Sequence, residues 1–245
     1  MNLSDISTRP PKGINKAATK KKTDNLARKI AEIQHLLYAE GKKSVLIVFQ
    51  GMDSSGKDGA TKKVFKYCSP SAISAFPFKK PTEEEFGHDF LWRVHKLAPQ
   101  KGQMVIFNRS HYEDILVQRV HKWIDEDRVK MRIEAINAWE TLLIKDNNTT
   151  IIKFYMHLSP ERQKEKLQER IDDPSKNWKH NPGDWEERKL WDQYQKCYED
   201  VIESCNAAPW TIAPVDSRWY RDYFIAKHVH AILSKLEITL PTLEK

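Results

Sequence analysis

Residues 44–59 read SVLIVFQGMDSSGKDG, and the fold class turns on how this stretch is read. Ser44 to Phe49 is an almost wholly apolar, β-rich run of strand length, as expected of a central parallel strand buried on both faces. Gln50 and Gly51 end it, and Gly51, Gly56 and Lys57 then fit the spacing G-x-x-x-x-G-K ahead of a helical pattern. In that order of strand, glycine turn and helix, backbone N–H groups point inward and the helix presents its positive end to the same spot. Gly51, Ser54, Ser55, Gly56, Lys57, Asp58 and Gly59 are therefore the expected phosphate cradle, with Lys57 as a mobile point charge. A tight strand-to-helix turn with a chance lysine is the plainer alternative. Asp58 stands where this motif usually carries Ser or Thr for Mg²⁺, and Asp53 adds a carboxylate inside the loop. Carboxylates among phosphates repel unless a cation sits between them, so Asp53 is the expected metal ligand. A local Asx-type brace is its alternative.

Working outward, four more short apolar runs follow, at Ala72–Phe76, Gln103–Phe107, Thr150–Met156 and Trp210–Val215. Helical patterns separate them at Lys57–Tyr67, Glu83–Leu97, Asp125–Lys145 and Asp184–Ser204, and a last helix falls near Tyr220–Leu236. Alternation of this kind predicts an α/β fold, with a five-stranded parallel sheet and a layer of helices on each face. Before the first strand, Leu26, Ile30, Ile33 and Leu37 keep helical spacing behind a cap at Asp24.

The chain has 245 residues, 40% apolar and 31% charged, with only 8 Gly and 12 Pro, which excludes disordered and collagenous classes. The longest aliphatic and aromatic run is Val45–Phe49, so no membrane span is expected, and the opening residues carry no secretory signal. Three cysteines without CxxC spacing argue against a disulfide framework and a zinc site, and the expected compartment is the cytoplasm. The formal net charge of +7 is uneven. Residues 1–22 hold six basic side chains against Asp5 and read as a flexible basic arm ahead of one domain, 23–245. A second basic zone, from Lys57 to Lys122, has 12 basic and 7 acidic side chains. Within it Lys62, Lys63 and Lys66 lie partly on one face of the helix beyond the phosphate turn, where a long anion can continue.

The third strand runs into Asn108-Arg109-Ser110-His111-Tyr112-Glu113-Asp114. Residues just past strand C-termini face the ligand crevice of an open parallel sheet, so this cluster is expected beside the phosphate turn. Arg109 offers a planar fork for phosphate oxygens, while Glu113 and Asp114 can hold Mg²⁺ or orient an acceptor phosphate. A structural Arg109–Asp114 ion pair, and a satisfied loop histidine at His111, are the plainer alternatives. After the fourth strand, Ser159 caps a helix with Pro160 at its first position. Lys166 and Arg170, one turn apart, share a face that can swing over a polyanion as a lid spanning about 159–185. With eight basic and eight acidic side chains between Ser159 and Trp191, a solvated, salt-laced helix is equally compatible.

GMDSSGKDGA at 51–60, FKKPTEEEFGHDFLWRVHK at 78–96, IFNRSHYEDILVQRV at 106–120 and DDPSKNWKHNPGDW at 172–185 together resemble the type-2 polyphosphate kinase family, over about Leu26 to Leu236. The resemblance implies a thymidylate-kinase-like, P-loop kinase-like core in three layers with a helical lid. It also implies Mg²⁺-dependent phosphoryl transfer, with Mn²⁺ as a substitute, between inorganic polyphosphate and AMP/ADP or GMP/GDP. Asp58 is what that family carries. Asp53 and Asp114, with Asn108 and Glu113, look like the metal and acceptor-phosphate residues, and Lys57, Arg109 and Arg170 like the anion clamps. Lys63, Lys66, Lys166 and Lys179 would extend the polyphosphate track. Phe78, Lys79, Asp89, Arg93, Asn108 and Glu113 would hold the nucleotide. The His111-Tyr112-Glu113-Asp114 form resembles the subgroup that accepts both nucleoside mono- and diphosphates. A homo-oligomer, dimer or tetramer, is expected, with Trp123 and Trp139 as interface candidates. Two competing functions are an ATP-dependent nucleotide or nucleoside kinase, which a phosphate turn plus a lid also describes, and nucleic-acid binding through the basic arm.

Overall fold

The computed structural model describes residues 1–242. Its five strands, β1 (Ser44–Gln50), β2 (Ile73–Pro77), β3 (Met104–Asn108), β4 (Thr149–His157) and β5 (Trp210–Pro214), form one sheet in the order β2-β3-β1-β4-β5. Every pairing is parallel. β1 lies in the middle, with Val45 opposite Met104 on one side and Thr150 on the other, and all its residues are buried. That double burial is why the stretch reads as an unbroken apolar run.

Among the described residues ten α-helices flank the sheet: α1 (Lys16–Glu40), α2 (Lys57–Val64), α3 (Glu83–Phe86), α4 (Trp92–His95), α5 (Glu113–Val120), α6 (Glu126–Lys145), α7 (Pro160–Asp172), α8 (Gly183–Lys189), α9 (Trp191–Ser204) and α10 (Arg218–Leu233). Side chains alternate along β1 between two cores. Leu46 and Val48 join Ile115, Ile136, Trp139 and Val201 from α5, α6 and α9. Val45, Ile47 and Phe49 join Ile30, Val64, Ile225 and Val229 from α1, α2 and α10. The result is the expected three-layer α/β arrangement.

Several expectations need correction. The single helix predicted over Glu83–Leu97 is two short turns, because the Gly87 N–H turns back on Glu83 and Glu84 carbonyls and Asp89 caps Leu91. The Asp184–Ser204 helix divides at Leu190 into α8 and α9. The segment after Arg109 is helical from Glu113, as α5. Trp139 is only 4% exposed and packs in the core, whereas Trp123 is 65% exposed. The largest change concerns residues 1–22, which do not stand apart as an arm. α1 starts at Lys16, capped by the Asn15 side chain, and its buried face runs through Thr19, Thr23, Ala27, Ile30, Gln34 and Leu37. Ahead of it, Leu3 is buried and its N–H donates to Glu199, the Ile6 carbonyl lies 3.0 Å from His157 Nε2, and the Thr8 hydroxyl donates to Asp216. Among the described residues no helix is long and apolar enough to cross a membrane.

Candidate active site

The site lies at the C-terminal ends of β1 and β3. Gly51, at φ 147°, lets the chain leave β1 against β4, since a Cβ there would stand 2.8 Å from the Met156 carbonyl oxygen. The loop then passes through left-handed Ser54 (φ 65°) and Gly56 (φ 93°) into α2. Lys57 folds back over the cradle, its Nζ donating to the Gly51 carbonyl at 2.7 Å, and to Met52 O and Ser55 Oγ at 3.3 Å. Burial pushes its ammonium down to about 8; Arg109 adds to the fall, and Asp53, Glu113 and Asp58 oppose it. A half-buried ammonium held by carbonyl oxygens is a site waiting for stronger anionic acceptors.

β3 delivers Asn108 and Arg109 to the same place. Arg109 adopts left-handed φ 60°, its N–H bonded to the Phe49 carbonyl, and its guanidinium pairs with Asp53. The alternative Arg109–Asp114 pair is not formed. Asn108 bridges Asp58 and Thr61, donating from Nδ2 to Asp58 at 3.1 Å and accepting from Thr61 at 3.0 Å, which ties the first turn of α2 to β3. Burial raises the Glu113 carboxyl; Arg109 and Lys57 pull it down, and Asp53 pushes it further up.

The expected lid segment consists of α7, a 3-10 turn at Pro174–Lys179 and the start of α8. Ser159 caps α7 as predicted, accepting from the Arg162 N–H. α7 lies directly on the phosphate loop: Gln163 Nε2 donates to the Asp53 carbonyl and Lys166 Nζ to the Ser54 carbonyl, both at 3.2 Å. Burial brings Lys166 down to about 8, with Arg221, Arg162 and Arg218 adding to the effect. Arg170 pairs with Asp184 and donates to the Lys179 carbonyl. Loop and lid enclose a cavity of about 600 Å³, lined also by Phe78, Lys79, Asn108, Arg109 and Lys179.

Other expected site residues are not brought there. Asp114 accepts from Arg93 Nη2 at 3.2 Å and from Gln118 Nε2 at 2.9 Å. With Asp89 and Arg93 it lines a second cavity of about 450 Å³. Glu113 and Asp114 are consecutive on α5, and consecutive helical side chains diverge by about 100°. Asp53 and Asp114, both expected among the metal and acceptor-phosphate residues, line different cavities in this arrangement. Lys63 and Lys66 line a groove of about 770 Å³ against α2, where Lys66 is paired with Asp24 of α1. His111 is no satisfied loop histidine: it is fully buried against Tyr112 and Trp139, both ring nitrogens lack a partner, and burial pushes it down to about 3. Residues missed in the sequence include Gln163, Asp184 and Arg221, which come together only through the tertiary fold.

Among the described residues, no three or more His, Cys, Asp or Glu side chains cluster as a ready-made metal cage. The donors present nevertheless suit Mg²⁺, which is commonly held by one or two carboxylates plus substrate phosphates and water. Asp53 is the half-open carboxylate of the cavity, paired with Arg109.

Comparison with known proteins agrees with this geometry. The family model described as Polyphosphate kinase 2 matches residues 13–241. An AMP/ADP-polyphosphate phosphotransferase of Meiothermus ruber is 45% identical over 214 residues, covering 86% of this chain and 79% of that protein. An ADP-polyphosphate phosphotransferase of Rhodopseudomonas palustris is 34% identical, with 87% and 78% covered. The crystal structure of polyphosphate kinase 2 from Arthrobacter aurescens superposes with a TM-score of 0.95 at 35% identity, over 100% of this chain and 89% of that one.

Proposed function

The chain belongs to the polyphosphate kinase 2 family, and from that premise we propose how it works as a polyphosphate-dependent nucleotide phosphotransferase. It passes a phosphoryl group from inorganic polyphosphate to AMP or ADP, or to GMP or GDP, and back. The observation that carries this reading is the set of cations around one cavity: Lys57 and Lys166 rest on backbone carbonyls, and Arg109, Arg170 and Lys179 line the same space. Such cations exchange carbonyl oxygens for phosphate oxygens at little cost, and one cavity receives both polyanions. Polyphosphate occupies the loop and runs toward Lys63. The nucleotide lies on the Phe78, Lys79 and Asn108 side.

The acceptor's terminal phosphate oxygen, ionised at neutral pH, attacks the terminal phosphorus in line, and the bond to the shortened polyphosphate breaks. No proton has to be removed, so no side-chain base or nucleophile is required, and catalysis is positioning and charge neutralisation. Mg²⁺, or Mn²⁺, would be held by Asp53 with phosphate oxygens and supplies further charge neutralisation. α7, carrying Lys166 and Arg170, acts as the lid. The Meiothermus ruber relative's name and the His111–Asp114 sequence support acceptance of both AMP and ADP.

The test is to mix protein, Mg²⁺, polyphosphate and AMP or ADP without ATP and to measure ADP and ATP. Product is expected from both acceptors. No product under conditions where ATP serves as donor would falsify this function in favour of an ATP-dependent kinase.

A further inference from the structure

We infer that Arg221, near the start of α10, is a fixed phosphate-binding arginine of this site, and that Gly59 is glycine in order to admit it. The inference rests on the cavity being the polyphosphate site. Arg221 is 4% exposed. Its Nε and Nη2 donate to Asp222 Oδ1 at 2.9 and 2.6 Å, which occupies one edge of the fork. Nη1 has no hydrogen-bond partner among the described residues and stands against the phosphate loop. A Cβ on Gly56 would fall on Nη1, and one on Gly59 would stand 3.0 Å from Nη2 and 3.4 Å from Nη1.

Gly56 already needs glycine for its positive φ, so Gly59 is the informative position. It is the third residue of α2, with no unusual φ, where glycine is a poor helix former. A side chain there would press the guanidinium out of its position by a few tenths of an ångström. Arg221 lines both the loop cavity and the groove against α2 that also holds Lys63, so it stands where a phosphate chain leaving the cradle would pass.

Its mounting differs from that of Lys166 and Arg170. Those two ride on the proposed lid helix, whereas α10 is anchored in the core by fully buried Ile225, Ala226 and Val229. Arg221 therefore presents a planar donor to phosphate oxygens whether the lid is open or closed. Its contribution belongs to polyphosphate binding, and the nucleotide on the Phe78 side does not feel it.

The experiment measures KM for polyphosphate and for AMP, with kcat, in wild type, R221M, R221K, G59A and the double variant R221M/G59A, alongside thermal unfolding. R221M is expected to raise the polyphosphate KM by about tenfold or more, the size of one charge-assisted hydrogen bond, with the AMP KM unchanged. R221K is expected to recover part of the loss. G59A keeps the arginine but presses its guanidinium aside by a few tenths of an ångström, so it is expected to raise the polyphosphate KM in the same direction as R221M and by less, without lowering the unfolding temperature. The double variant is then no worse than R221M alone. A wild-type polyphosphate KM in R221M or G59A overturns the assignment, as do additive losses in the double variant. Should R221M not fold, G59A alone decides by the same criterion. Wild-type protein that makes no product from polyphosphate sinks the parent reading instead, so the two failures are distinct.

Discussion

The phosphate cavity and the Asp114 cavity draw on the same short segment, residues 109–114, and end in opposite states. In the first, half-buried Lys57 and buried Lys166 are cations that rest on backbone carbonyls. In the second, Arg93 is engaged by Asp114, Glu85 and the Lys79 carbonyl, and Arg132 donates to Gln118. The two lysines can trade a carbonyl for a phosphate, whereas Arg93, only 8% exposed and against two carboxylates, is held by the cost of leaving a buried charge alone; Arg109, paired with Asp53 in the first cavity, is 36% exposed. Similar residue types thus make a binding site in one place and a brace in the other.

The sharpest way to break this contrast is to remove one charge from each side. Lys57→Ala is expected to lower kcat by about 10²–10³, as for loss of one donor aimed at developing charge, with little change in Tm. Asp114→Ala is expected to act first on the fold, lowering unfolding free energy by about 1–3 kcal/mol by leaving Arg93 without its carboxylate. Chemical denaturation and steady-state rates measured on both variants decide. An Asp114→Ala protein of native stability with a Lys57→Ala-sized kinetic loss would return Asp114 to the phosphate chemistry.

A smaller effect separates the cavities by pH. Lys57 and Lys166 are lowered from 10.5 to about 8, so each keeps its charge below pH 8 and loses it as pH rises through 8. kcat/KM for polyphosphate, which reports the free enzyme, is expected to fall above pH 8. Unfolded lysines stay protonated up to about 10.5, so these two groups make the fold more stable, not less, between 8 and 10.5. Alkaline inactivation with no drop in Tm is the combined signature. An activity profile flat to pH 10 would show that neither ammonium is needed.

What was legible in the sequence follows the range of the forces involved. The strands were found to within one residue, β1, β3 and β4 because burial on both faces leaves an apolar run, and the phosphate loop because strand, glycines and helix are contiguous. That Asp114 lines the second cavity was not legible locally, because its direction depends on α5 beginning at Glu113, and the apolar pattern alone did not show that start. The Glu83–Leu97 helix failed at Gly87 and Asp89, whose local hydrogen bonds overrule a good apolar period. α1 was cut short because its first buried positions, Thr19 and Thr23, are polar and escaped a count of apolar residues. Arg221 carried no local signal. Its only trace was a glycine inside a helix at position 59, far away in the chain.

The docking of the N-terminal segment carries a consequence for the order in which the molecule can be assembled. β1 has its partners in β3 and β4, the second of which begins only at Thr149. The anchors of Leu3 and Thr8 are Glu199 and Asp216, made later still. During synthesis, Leu3 and Thr8 therefore cannot find their places until some two hundred further residues have been made. Asp216 also accepts the N–H of Ser159, where α7 begins. Seating Thr8 against that carboxylate completes the foundation of the lid only once Asp216 has been made.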